Sequence, residues 1–295
     1  MVYFDLHSDT LYEAYHKKVS PFSGNSLSAP VDALSFANYR VLAVWSDQNL
    51  SDEEAYQDFF RILSHYNVAQ GTRKTPSFCT PILAVEDARL LAGDLSRLDT
   101  LYAHGVRILT LTWQDTSCIG GAWNTDEGLT RFGKDAVEKA LSLGMAIDLS
   151  HASDTTFWQA LDICHSLNSA PMASHSNSRT LCHHKRCLTD DMFKAITALG
   201  GIIGVSFVPY HLSNQSSASR QTVLSHIKHF LSLGGKDAIA IGSDFDGVDS
   251  LPKGLEHITR IEDFAECLAK ETSSEIAEKI LWQNAHRYTQ TFFHN

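Results

Sequence analysis

The sequence predicts an α/β protein built as a closed (β/α)8 TIM barrel, and three observations carry that expectation. Eight short apolar runs recur along the 295 residues. Helix-like stretches separate most of them. The runs are rich in Val, Ile, Leu and Ala with few polar interruptions, as in parallel strands covered on both faces. Eight such units fit the barrel, which routinely takes about 250 residues. An open doubly wound sheet is the rival, but no Gly-rich dinucleotide turn follows the first run.

The first strand is "VYFDLHS" (2–8), in which apolar and polar residues alternate. The second, "YRVLAVWS" (39–46), leads to a helix over 52–68 that Ser51 and Glu54 open as a capping box. The third, "TPILAVE" (80–86), precedes a helical pattern over 87–103. The fourth is "VRILTLTW" (106–113), with a helix over 132–143. The fifth, "GMAIDLSH" (144–151), is followed by a helix over 153–167. The sixth, "APMASHS" (170–176), and the seventh, "GIIGVSFV" (201–208), precede helices over 189–199 and 219–233. The eighth, "AIAIGSDF" (238–245), leads to helices over 261–270 and 274–292. No Pro/Ser-rich linker divides the chain. The Pro-, Gly- and Ser-containing loops at 20–30 and 247–260 read as surface excursions, so residues 1–295 are expected to form one barrel domain with C-terminal helices.

Composition narrows the function. Hydrophobic residues make up 43% and charged residues 20%, enough for a large core. The net charge of −10 argues against nucleic acid as a main partner. Six cysteines with no Cys-x-x-Cys pair suit reduced thiols better than a disulfide framework. No basic leader or apolar run precedes the first strand, and no run of about 18 apolar residues exists, so a cytoplasmic protein without a membrane segment is expected.

The chemistry collects where strands end. Strand 1 ends in His7 and Asp9, strand 3 in Glu86, strand 4 in Trp113, strand 5 in His151, strand 6 in His175 and strand 8 in Asp244, with Asp246 two residues on. A barrel places its active site at this C-terminal rim. His7 and Asp9, two apart, share a strand face. Singly each residue has an ordinary structural use: Asp9 as a helix cap, Glu86 beside a helix start, Asp244 in a turn, a His bonded in the core. Together they form a donor set for divalent cations, zinc above all. Five or six ligands are too many for one ion and point to two ions sharing a carboxylate. Asp5, deeper on the same face, is expected to orient a ligand or, nearly as readily, to serve as a buried structural hydrogen-bonder. His104, His165, His183, His184 and His211 read as surface or loop residues.

In "DLHSD", "GVRILTLTW", "AIDLSHAS", "APMASHSNSR", "KRCLTDDM" and "IGSDFDGV" the chain resembles the membrane (renal) dipeptidase family, peptidase family M19, of the amidohydrolase superfamily. The resemblance runs over most of the chain. It implies a metal-dependent hydrolase barrel with two divalent ions, zinc in the family. His7 and Asp9 match the ligands of the first ion, Glu86 the bridging carboxylate, and His151 and His175 the ligands of the second. Arg186 matches the arginine that holds the substrate's free carboxylate, and Asp244 the aspartate that shuttles a proton from the bridging water. It implies dipeptide substrates, L,D-dipeptides among them, and a homodimer. One departure is visible: Trp113 stands where the best-known members carry a substrate-binding histidine, and an indole donates one hydrogen bond but cannot become cationic.

The expected activity is therefore dipeptide hydrolysis by a hydroxide held between two cations. Arg186 suits a carboxylate through its two parallel donors, although a surface arginine beside Lys185 is an equal reading of the sequence alone. Deamination, or hydrolysis of a lactone or phosphoester, on the same binuclear site is the alternative, because fold and metal do not fix the bond cleaved. A barrel that keeps metal only for stability, as a binding protein, is the alternative from another class. Asp244 argues against it, since a structural site needs no proton carrier.

Overall fold

A computed structural model describes residues 1–215 and 217–290. Its centre is a closed barrel of eight parallel strands in sequence order. They are β1 (Tyr3–Ser8), β2 (Asn38–Trp45), β3 (Cys79–Glu86), β4 (Val106–Thr110), β5 (Ala146–Asp148), β6 (Met172–Ala173), β7 (Ile202–Val205) and β8 (Ile239–Ile241). The barrel closes where Asp5 of β1 pairs with Ile241 of β8. Outside it lie α1 (Thr10–His16), α2 (Asp52–Gly71), α3 (Ser96–Ala103), α4 (Arg131–Ser142), α5 (Asp154–Ser166), α6 (Asp190–Ala198), α7 (Pro209–Leu212), α8 (Arg220–Ser232) and α9 (Ile261–Glu271). Hydroxyl caps start several of them: Ser51, Thr130, Ser153 and Thr189 each accept a backbone N–H from the first turn.

Strand alternation makes two cores. Phe4, Leu6, Val41, Ala43, Ala84, Ile108, Met172 and Ala240 form one buried cluster within the barrel. Their neighbours Leu42, Val44, Val85, Leu109, Ile147 and Ile203 belong to the larger cluster shared with the helices. The chain then runs through α10 (Ser274–Glu278) and a π-helical turn, Lys279–Gln283, into α11 (Asn284–Gln290). Ala285 and Tyr288 of α11 join the inner cluster at the end of the barrel where the strands begin.

Several boundaries differ from the sequence reading. Strands 4 to 8 stop earlier, so Trp113, His151, His175 and Asp244 stand on the loops just past them. The pattern over 87–103 divides into a 3-10 turn, Ala88–Leu91, and α3, because Ala92 and Gly93 turn left-handed between them. The short α7 was not foreseen. Of the expected 274–292 helix, positions 291 and 292 lie outside the described residues.

Candidate metal centre

The rim of the barrel gathers the strand-end residues into one buried cluster. His7 Nε2 lies 3.4 Å from Asp9 Oδ2, 3.4 Å from Glu86 Oε2 and 3.9 Å from Asp244 Oδ1. Glu86 Oε1 faces the other way, 3.0 Å from His151 Nε2 and 3.6 Å from His175 Nε2. One carboxylate thus divides its two oxygens between two groups of donors. His7, Asp9 and Glu86 form one set able to hold a cation, and Glu86, His151 and His175 another. A third set joins His7, His175 and Asp244.

Local backbone geometry aims these side chains. The ladder shifts register between Asp5 and Ser8, which breaks strict alternation along β1. In consequence Asp5 and His7 part company. Asp5 accepts from Tyr3 Oη and from the Ser243 N–H and hydroxyl, and touches His7 only through its backbone N–H. Of the two expected roles for Asp5, these bonds fit the buried hydrogen-bonder: it ties the backbone of the β1–β8 seam. Asp9 heads α1 without capping it through its side chain, and its carboxylate turns to His7. His151 and Asp244 adopt left-handed φ of 67° and 64°, a strained choice for such residues that is common at functional sites.

The donor chemistry fits cations. The His151 Nδ1–H donates to the Trp113 carbonyl at 3.2 Å, which leaves its Nε2 a bare lone pair. His175 Nδ1 lies 2.7 Å from Ser174 Oγ, whose own hydrogen goes to Asp148 Oδ2 at 2.5 Å, so the His175 Nε2 is bare as well. Those two Nε2 atoms stand 2.9 Å apart, beside Glu86 Oε1. Three acceptors this close repel unless positive charge sits among them. His7 Nε2 and Asp9 Oδ1 are likewise buried, without a hydrogen-bond partner among the described residues.

Charge on the groups follows the same logic. Burial pushes the His151 and His175 imidazoles well below their ordinary pKa, with positive Arg186 and His7 adding to it. They are neutral, as ligation requires. Burial alone would lower His7 too, but the Glu86 and Asp9 carboxylates outweigh it and hold His7 well above the usual value. Burial, with Glu86 adding, pushes Asp9 up to about 6 against the pull of His7. Burial also raises Asp244 well above the carboxylate range, against the pull of His7 and with Asp9 and Glu86 adding.

A cavity of about 380 Å³ opens over the cluster. Arg186 reaches it from the loop after β6; it is buried, with Nη1 donating to Ser176 Oγ at 2.9 Å and Nη2 to the His175 carbonyl at 3.0 Å. Its Nε has no hydrogen-bond partner among the described residues. Trp113 forms part of the wall, packed against Trp45 at 4.8 Å and against His151 at 6.0 Å between ring centres. His184 and His211, read from the sequence as surface or loop residues, also line the cavity, their rings 4.8 Å apart. His211 is carried inward on α7, whose start at Pro209 was the available signal. Asp148 and Ser174 were missed altogether, although both lie in the "AIDLSH" and "APMASHS" strands.

Residues 51–292 match the family model for membrane dipeptidase, peptidase family M19; His7 and Asp9 precede that match. An uncharacterised protein from the pqqA 5′ region of Klebsiella pneumoniae is 32% identical, the match covering 68% of this chain and 77% of that protein. An uncharacterised dipeptidase of Schizosaccharomyces pombe is 34% identical over 64% of this chain but only 47% of its own length. The fold matches a metallopeptidase of Rhodobacter sphaeroides solved with a phosphinate mimic of L-Ala-D-Ala, with TM-score 0.87, 19% identity and 99% of both chains covered. It also matches a probable dipeptidase, PvdM, of Pseudomonas aeruginosa, with TM-score 0.70, 19% identity and 94% and 87% of the two chains covered. With a family match across most of its length and the (β/α)8 barrel in place, the chain belongs to the membrane dipeptidase family, peptidase family M19.

Proposed function

We propose that the protein is a zinc-dependent dipeptidase acting on dipeptides, L,D-stereoisomers included. The observation that carries this reading is the division of Glu86 between the His7/Asp9 group and the His151/His175 group. Two divalent cations, when bound, supply a hydroxide nucleophile at neutral pH and polarise the scissile carbonyl. His7 and Asp9 would hold the first ion and His151 and His175 the second, with Glu86 offering one oxygen to each group. Asp244, raised by burial, accepts the proton of the attacking water and passes it to the leaving amine. Arg186 pairs with the free C-terminal carboxylate through its fork. Trp113 narrows the wall of the cavity.

The deciding experiment is a panel of L,L- and L,D-dipeptides offered to chelator-treated and zinc-restored protein. Turnover should vanish on chelation with far-UV circular dichroism unchanged, and return with Zn²⁺. Hydrolysis of no dipeptide by the zinc-restored protein overturns the reading.

A further inference from the structure

Beneath the ligands lies a buried carboxylate that the proposed reaction does not use. Asp148, at the end of β5, is fully buried. Its Oδ1 accepts the backbone N–H of Ser150 at 3.0 Å and of Ser174 at 2.8 Å. Its Oδ2 accepts the hydroxyls of Thr110 at 2.7 Å and Ser174 at 2.5 Å. With four donors around it, Asp148 is an acceptor on every side, and the Ser174 hydrogen has one destination. Ser174 Oγ must then accept, and two imidazole nitrogens face it: His175 Nδ1 at 2.7 Å and His7 Nδ1 at 3.4 Å.

We infer that Asp148 and Ser174 are positioning residues that lock His175 in the tautomer with Nδ1 protonated and Nε2 free for a cation. The inference rests on the metal-dependent reading above and extends it to residues that touch neither ion nor substrate. Direction along the relay is set by the carboxylate. Two of the four donors are backbone N–H groups and cannot reverse; the two hydroxyls can. In Asp148→Asn the amide oxygen stays with the N–H pair, and the new NH₂ faces Thr110 and Ser174. Ser174 then accepts from Asn and turns its hydrogen to His175 Nδ1. His175 Nε2 becomes a donor aimed at His151 Nε2, 2.9 Å away. The variant satisfies the metal-free site and opposes the second ion.

The test is zinc stoichiometry and affinity, by elemental analysis and chelator competition, on wild type, D148N, S174A and T110V. Wild type should bind two zinc ions per chain. D148N should lose the Glu86/His151/His175 ion, with affinity there 10- to 100-fold weaker, the range for partners that orient metal-bound His. Its metal-free urea midpoint should equal or exceed that of wild type, which a merely structural role would not produce. T110V also strips a bond from Asp148 but leaves Ser174 directed, and should keep both ions. S174A removes the acceptor itself and should weaken the second ion about tenfold; it carries the test if D148N does not fold. Wild-type zinc affinity in D148N or, failing that, in S174A overturns the inference and leaves the dipeptidase reading standing. Absence of zinc from wild type removes that reading, and the inference with it.

Discussion

Gly247 gives the sharpest test of how tightly the ligands are held. A Cβ built on it would lie 2.3 Å from Asp9 Oδ2 and 2.4 Å from Asp244 Oδ1, whereas ordinary contact begins near 3.4 Å. Its φ lies outside the left-handed range, so crowding against these two carboxylates, and not backbone strain, is what a side chain there meets. In Gly247→Ala the Asp9 and Asp244 carboxylates must retreat by about 1 Å, which under the proposed mechanism displaces one ligand of the first ion and the proton carrier. A displacement of that size costs on the order of 100-fold in rate, or about 2.7 kcal/mol. The assay is kcat/KM for a dipeptide with zinc saturating, with bound zinc counted in parallel. Gly144→Ala is the control: Gly144 sits at φ +82° with nothing near its missing Cβ, so it should cost about 1 kcal/mol or more of stability and leave kcat/KM unchanged. A G247A enzyme within threefold of wild type, with both ions bound, refutes the argument that the methyl displaces the carboxylates.

Three further outcomes follow from the site. Arg186→Lys keeps the charge but loses the fork, so KM for a dipeptide should rise 10- to 100-fold, the worth of one charged hydrogen bond, while C-terminally amidated substrates lose little; an unchanged KM would favour a hydrolase of some other ester or amide. Asp244→Asn should lower kcat by 10² to 10⁴-fold, the usual range for a proton-transfer group, with the zinc count intact; a rate within tenfold removes Asp244 from proton transfer. Burial pushes the Asp87 carboxyl up to about 7, against its bonds from Arg89 and Gln48. The unfolded chain therefore releases this proton near pH 4 and the folded chain near pH 7, so stability falls as pH rises between them. Relative to Asp87→Asn, chelated wild type should lose up to about 4 kcal/mol across that window by urea unfolding; a pH-independent difference removes Asp87 as the cause.

The barrel and most of its rim were legible because they rest on periodicity and on position. Apolar runs alternating with helical stretches set the strand count, and polar residues at the ends of apolar runs had one place to go. What escaped is equally physical. The register shift in β1 decides between the two roles open to Asp5, and a bulge leaves no mark in "FDLHSD". Asp148 looked like an ordinary polar residue in an apolar strand; its role appears only when Ser174 and His175 are brought beside it from another strand. His184 and His211 lie 27 positions apart, and only the folding of the loops after β6 and β7 faces them into the same cavity.

The seam between the first and last strands holds a final consequence. The Asp244 N–H bonds the His7 carbonyl at 3.1 Å, and the Asp9 N–H bonds the Phe245 carbonyl at 2.9 Å. The candidate metal-holding residues and the stitches that join the two ends of the β-structure are thus the same few residues. No half-assembled chain has the complete binding centre, because its parts meet only after a contact spanning more than 230 positions has formed. Cation uptake would then report the completion of folding, and each ion captured would fasten that joint by mass action.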